Sequence, residues 1–135
     1  MICLDTNVVI AVINRRNADV ARRMGEALTQ RVEIGLPVIV LYELRYGYAR
    51  SDRKPLMEAL LAEFLSPGIA VLPFDEEDAR HAGDIRANLE KRGQPIGHYD
   101  YLIAAQARRR GAILVTANGR EFARVPGLMV TDWAG

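Results

Sequence analysis

Ile2-Cys3-Leu4-Asp5-Thr6-Asn7 opens the chain as an apolar run that stops at a carboxylate and passes at once into polar residues. A short buried strand that ends in Asp places that side chain at the C-terminal edge of a sheet, where open α/β folds hold their ligands. Asp5 is therefore the first candidate site residue. Working outward from it, four further short runs of β-branched and aliphatic residues predict strands around Val32–Leu36, near Ile69–Leu72, at Ile113–Thr116 and around Leu128–Thr131. Longer amphipathic segments lie between them. Leu56, Met57, Leu60, Leu61 and Phe64 recur at helical spacing and predict a helix over 54–65. Asp75 reads as an N-cap with Asp78 at the third helical position, opening a helix whose Ala82, Ile85 and Leu89 face inward and which Gly93 and Pro95 end. Another helix runs from near His98 to Arg110, with Gly111 as its stop. Two more are expected at 7–14 and 17–31. Strands alternating with helices imply the α/β class, with a short, mostly parallel central sheet of about five strands flanked by helices.

The composition fits that class. At 135 residues the chain reads as one domain spanning 1–135, half of its residues hydrophobic and 26% charged, which argues against disorder. No apolar run approaches the ~20 residues that span a bilayer. Met1 to Leu4 has neither the basic start nor the apolar length of a signal peptide. A cytoplasmic protein with no membrane partner is the expectation. Cys3, the only cysteine, excludes an internal disulfide and reads as a small core residue. A net charge of +1 does not announce a nucleic-acid binder. The basic side is nevertheless lopsided, with 16 arginines against Lys54 and Lys91. Guanidinium suits bidentate contact with phosphate, and it equally fills solvated helix faces.

Three more acidic residues stand among apolar neighbours: Glu43 in Leu41-Tyr42-Glu43-Leu44, Asp100 in the run from Ile96 to Ala105, and Glu121 in Thr116-Ala117-Asn118-Gly119-Arg120-Glu121-Phe122. A lone carboxylate in such a setting is costly unless it is paired or bound to a cation. In an alternating chain the first strand lies centrally, and the helices carrying Glu43 and Asp100 can start beside its C-terminal end. Carboxylates gathered there repel one another strongly, so the cluster calls for a cation. Oxygen-only ligation selects Mg²⁺ or Mn²⁺, which leave coordination positions for water and phosphate oxygens. That combination predicts phosphoryl-transfer chemistry. Read singly, each residue has an ordinary explanation as well: Asp5 as a strand-end turn residue, Asp100 as a first-turn acid facing the helix dipole, Glu43 as a partner of Arg45. His98 reads as solvated and His81 as structural, because no His/Cys spacing supports a zinc site.

Together, Leu4-Asp5-Thr6-Asn7, Glu43-Leu44 with Gly47, Gly97-x-x-Asp100-x-Leu102-Ile103-Ala104-Ala105 and Thr116-x-Asn118-x-x-Glu121-Phe122 resemble the four motifs of PIN-domain ribonucleases. With the trailing Arg124-Val125-Pro126-Gly127-Leu128, the chain is most similar to the VapC toxins of type II toxin–antitoxin modules. The resemblance covers essentially the whole chain. It implies a three-layer PIN fold and a Mg²⁺-dependent endoribonuclease, with Mn²⁺ as a substitute, hydrolysing RNA phosphodiesters in tRNA or rRNA loops. It implies Asp5, Glu43 and Asp100 as the metal ligands and Glu121 as a fourth acidic catalytic group or as a partner that supports those ligands from behind. Thr6, Asn7, Thr116 and Asn118 would hydrogen-bond and orient these carboxylates. Two departures stand out: Asn118 replaces the Asp that many members carry, and the apolar Pro37-Val38-Ile39-Val40 lacks the Ser or Thr that often caps the glutamate helix.

The same resemblance implies a small VapB-like antitoxin as partner and a homodimer. Tyr42, Tyr46 and Tyr48 on the Glu43 segment read either as ordinary core or, with more weight, as a partner surface, and Arg108-Arg109-Arg110 as cations serving their helix C-terminus, with RNA contact as the lesser alternative. Two other functions are weighed against the nuclease. A degenerate PIN domain would act only as a binding module. A haloacid-dehalogenase-like phosphatase would need a second Asp where this chain has Asn7.

Overall fold

Cys3 and Leu4 are completely enclosed, as residues of a strand covered on both faces must be. They belong to β1 (Ile2–Leu4), the middle strand of a five-stranded, wholly parallel sheet in a computed structural model that describes residues 1–65 and 68–134. The other strands are β2 (Ile34–Pro37), β3 (Ile69–Leu72), β4 (Ile113–Val115) and β5 (Met129–Thr131), in the order β3-β2-β1-β4-β5. Cys3 is in register with Gly35 on one side and Leu114 on the other. Chain order thus runs outward from β1 in one direction and later in the opposite one, which makes the C-terminal end of β1 a topological switch point. Asp5 follows at once. It caps α1 (Thr6–Ile13) with extended dihedrals rather than prolonging the strand, so β1 ends one residue earlier than the sequence predicts.

The remaining helices among the described residues are α2 (Ala18–Thr29), α3 (Val38–Ala49), α4 (Lys54–Leu65), α5 (Glu76–Lys91), α6 (His98–Arg109) and the short α7 (Gly119–Phe122). Among the described residues no helix is long and apolar enough to cross a membrane. The capping box read at Asp75 and Asp78 is present, each carboxylate accepting the other residue's backbone N–H. Gly111 adopts φ +65° and ends α6 at little steric cost. The Pro37 start of α3 has no side-chain cap of its own. Help comes from α6: the wholly buried Gln106 accepts a long 3.5 Å bond from the Ile39 N–H and donates to the carbonyls of Leu72 and Pro73.

Arg108 and Arg109 lie in the last turn of α6 and Arg110 caps it, as expected, and all three also reach beyond their helix. Arg110 donates to the wholly buried Asp78 at 2.8 Å and to the carbonyls of Gln106 and Pro73. Arg109 pairs with Asp75, and Arg108 donates to His81 Nδ1 and to the Pro126 carbonyl. A buried carboxylate needs such partners. The three arginines therefore tie α6 to α5 and to the segment before β5.

Candidate active site

Every strand of a parallel sheet points its C-terminal end to the same edge, so residues that follow β1, β2 and β4 meet there. Asp5 follows β1 and is 5% exposed. The Thr6 N–H donates to its Oδ1 at 2.8 Å, and the hydroxyl of fully buried Thr116, just after β4, donates to its Oδ2 at 2.7 Å. Burial pushes the Asp5 carboxyl above the ordinary carboxylate range, while those two bonds pull against the shift. Glu43 sits on α3, the helix that continues β2. Its Oε1 accepts the Thr6 hydroxyl at 2.7 Å, so one threonine holds two carboxylates in place. Arg45 turns instead to Glu58, so the pairing with Glu43 considered from the sequence does not form.

A second bridge leads to Glu121. The Asn118 N–H donates to the Thr116 hydroxyl oxygen at 2.9 Å, and the Asn118 side-chain amide donates to Glu121 Oε2 at 2.9 Å. Asn118 here orients the glutamate. An aspartate in its place would repel it.

Asp100, in the first turn of α6, completes the group. Its carboxyl is pushed up to about 6, first by burial, then by the charges of Asp5, Glu43 and Glu121, with the backbone of Gly97 acting in the opposite sense. Those three neighbours are the carboxylates singled out in the sequence. Among the described residues no side chain donates a hydrogen bond to Asp100, unlike the other three. Gly97 makes room for it: a Cβ at Gly97 would lie 2.8 Å from Asp100 Oδ2. The structure thus brings Asp5, Glu43, Asp100 and Glu121 together with Thr6, Thr116 and Asn118. Asn7 is exposed, and among the described residues its side chain makes no hydrogen bond to any of them.

An oxygen-only donor set that crowds three carboxylates around Asp100 suits a hard divalent cation. As the side chains stand, no set of three Asp, Glu, His or Cys residues among the described ones is placed to hold one ion. The fit is therefore one of chemistry, and ligation calls for the carboxylates to draw inward. Beside Glu43 opens a cleft of ≈ 650 Å³ that Ile10, Leu44, Met57 and Leu60 line together with Arg16 and Arg53. The tyrosine expectation divides. Tyr48 belongs to the core, whereas Tyr42 and Tyr46 are 49% and 55% exposed.

Fold and site together define an α/β protein that gathers an acidic, oxygen-only centre at the C-terminal edge of a parallel sheet. The family model for the PIN domain matches residues 2–128. The chain is 40% identical over 131 residues to the tRNA(fMet)-specific endonuclease VapC of Shigella flexneri, covering 97% of this chain and 96% of that protein. It is 38% identical over 130 residues to ribonuclease VapC2 of Haemophilus influenzae, covering 96% of each. Among solved structures, VapBC2 from Rickettsia felis bound to a promoter DNA fragment superposes with a TM-score of 0.91 at 33% identity, over 98% of this chain and 99% of that one. DNA-bound VapBC from Salmonella typhimurium gives 0.89 at 36% identity, over 98% and 99%. The chain belongs to the PIN-domain family and, within it, to the VapC ribonucleases.

Proposed function

We propose that this chain is the toxin of a toxin–antitoxin pair, an endoribonuclease that hydrolyses phosphodiesters in an RNA loop with Mg²⁺, or Mn²⁺ in its place. The observation that carries this reading is the hydrogen-bonded linkage of Asp5, Glu43 and Glu121 through Thr6, Thr116 and Asn118, with Asp100 left repelled among them. Asp5, Asp100 and Glu43 would hold the cation and Glu121 would stand as the fourth acidic group. When bound, the cation lowers the pKa of a water and offsets charge on the phosphate. The protein's own part is positioning. Thr6 and Thr116 fix both oxygens of Asp5, Thr6 aligns Glu43, and Asn118 turns Glu121 toward the centre. Attack by external water spares the ribose 2′-hydroxyl, so the products carry a 5′-phosphate and a 3′-hydroxyl. An intact network of this kind disfavours a degenerate binding module.

The substrate follows from kinship and from RNA chemistry. Single-stranded loops offer unstacked bases that a protein can splay and read. The Shigella relative is specific for tRNA(fMet), so initiator tRNA is the first candidate here, with other tRNA and rRNA loops behind it. The partners are a small VapB-like antitoxin and a second copy of the chain, and the site of action is the cytoplasm. Brief induced expression followed by sequencing of RNA ends tests the reading. New 5′-phosphate ends clustered in one loop are expected, absent with Asp5→Asn. Equal ends from the active and Asp5→Asn proteins would overturn it.

A further inference from the structure

Tyr42 and Tyr99 immediately precede two of the carboxylates, Glu43 on α3 and Asp100 on α6. Both remain about half exposed, at 49% and 46%, although they stand at the edge of a buried site. They are not independent surface residues. Their hydroxyls approach to 3.2 Å and their ring centroids lie 5.3 Å apart. An interplanar angle of 57° keeps the rings from stacking fully on one another, which leaves aromatic face available. The hydroxyl contact restrains both rings and lowers the entropy lost when a ligand orders them.

The surface continues along α3. Tyr46, 55% exposed, follows Tyr42 by four residues, and the Arg50 guanidinium lies 4.7 Å from the Tyr46 ring centroid. Positions four apart share a helix face, so Tyr42, Tyr46 and Arg50 form a stripe leading roughly 12 Å away from the acidic centre. Aromatic faces interleaved with guanidinium are the surface that single-stranded nucleic acid uses, because every base has a π-face and every linkage a phosphate. A second protein copy is the weaker fit. Tyr42 and Tyr99 stand directly before Glu43 and Asp100, where a substrate must arrive, and that place favours RNA as the occupant.

We propose that Tyr42 and Tyr99 form a stacking platform for an unpaired base beside the cleaved phosphodiester, with Tyr46 and Arg50 carrying the strand onward. This assignment rests on the ribonuclease reading given above. It makes the tyrosine pair a binding element for the substrate, separate from the residues that hold charge at the centre. The face of the base packs on a ring, and the adjoining phosphate falls toward Asp5 and Asp100.

The test starts with the unmodified protein, Mg²⁺ and a randomised single-stranded RNA pool whose new ends are sequenced. An oligonucleotide of the preferred sequence then serves for kinetics with Tyr42→Ala, Tyr99→Ala and the corresponding Phe variants, alongside light scattering. The alanine variants are expected to raise KM about tenfold with kcat within twofold, and the Phe variants to keep most of the binding. An abasic nucleotide at the stacked position should erase the difference between unmodified and alanine proteins. Unchanged KM in both alanine variants, with the unmodified protein active, would overturn the platform and leave the ribonuclease reading intact. A rise in KM that tracks a fall in molecular mass would assign the pair to a contact between copies. No cleavage of the pool, of total tRNA or of rRNA by the unmodified protein, in Mg²⁺ or Mn²⁺, would remove the ribonuclease reading itself.

Discussion

Asp100 carries the strain of the site. Thr6, Thr116 and Asn118 donate to its neighbours, while Asp100 receives burial and three like charges. Its carboxyl rises from the ordinary 3.8 to about 6. A folded-state pKa raised in this way stabilises the protein fully below about 4, and that contribution is lost as pH climbs through about 6. Thermal melts in EDTA should therefore fall between those values for the unmodified protein and fall less for Asp100→Asn. At pH 7 the metal-free variant should be as stable as the parent or more so, while its RNA cleavage drops by orders of magnitude. Saturating Mg²⁺ should raise the parent's Tm by mass action and the variant's much less. A variant that melts far below the parent in EDTA would mean that Asp100 is a structural residue. Gly97 offers an independent probe. Its φ of −61° suits alanine, yet the added Cβ would meet Asp100 Oδ2 at 2.8 Å and push the carboxylate aside. Gly97→Ala should cut kcat on the order of 100-fold with little change in Tm, the size of loss expected when a reacting group is displaced by about 1 Å. Full activity in Gly97→Ala would show that the carboxylate tolerates the shift.

At the scale of elements, α5 and α6 are joined by an ion pair rather than by apolar contact alone. Asp78 is wholly buried, and its carboxylate depends on Arg110, which is itself 11% exposed. Removing one member of a buried pair leaves the other unpaired at a cost of roughly 3 kcal/mol. Asp78→Ala should lower stability by about that amount in denaturant titration, with cleavage per folded molecule preserved at low temperature. A loss below ~1 kcal/mol would mean that water already solvates the pair. This link also shows where the sequence ceases to be readable. Alternating strands and helices, the capping box at Asp75 and the carboxylate at the end of β1 were legible because local spacing carries them. The partners that Arg108, Arg109 and Arg110 find outside their own helix were not, since each lies at least 18 positions away. Gln106 was equally silent: nothing near it in sequence announces a buried amide that serves α3 and β3. The four-residue α7 is too short to show a period. Thr6 and Thr116 were expected to orient carboxylates, and only the sheet order could assign Thr6 to both Asp5 and Glu43.

Across the whole molecule, the acidic centre and the helical layer above it are linked by open space. The cleft beside Glu43 shares Ile13 and Leu60 with a second cleft of ≈ 250 Å³ between α1, α2 and α4, which Met24, Leu28 and Phe64 also line. A trough thus leads from α2 along α1 to a carboxylate of the site, apolar at Ile10, Ile13, Met24 and Leu60 and edged by Arg15, Arg16 and Arg53. That shape fits an amphipathic partner segment whose apolar side fills the trough and whose end presents arginine to Glu43 or Asp100, since guanidinium pairs bidentately with carboxylate. An antitoxin bound this way would inhibit by filling the site with its own charge. Leu28 lies at the far end of the trough and is already 37% exposed, so Leu28→Arg can disturb docking without disturbing folding or chemistry. RNA cleavage by Leu28→Arg should match that of the parent, while the antitoxin concentration needed for half-inhibition rises about tenfold or more. Hydrogen exchange should show α1 and α4 slowed when the partner binds the parent, and less so with the variant. Unaltered inhibition of Leu28→Arg, together with unprotected α1 and α4, would place the antitoxin elsewhere and leave the trough without an occupant.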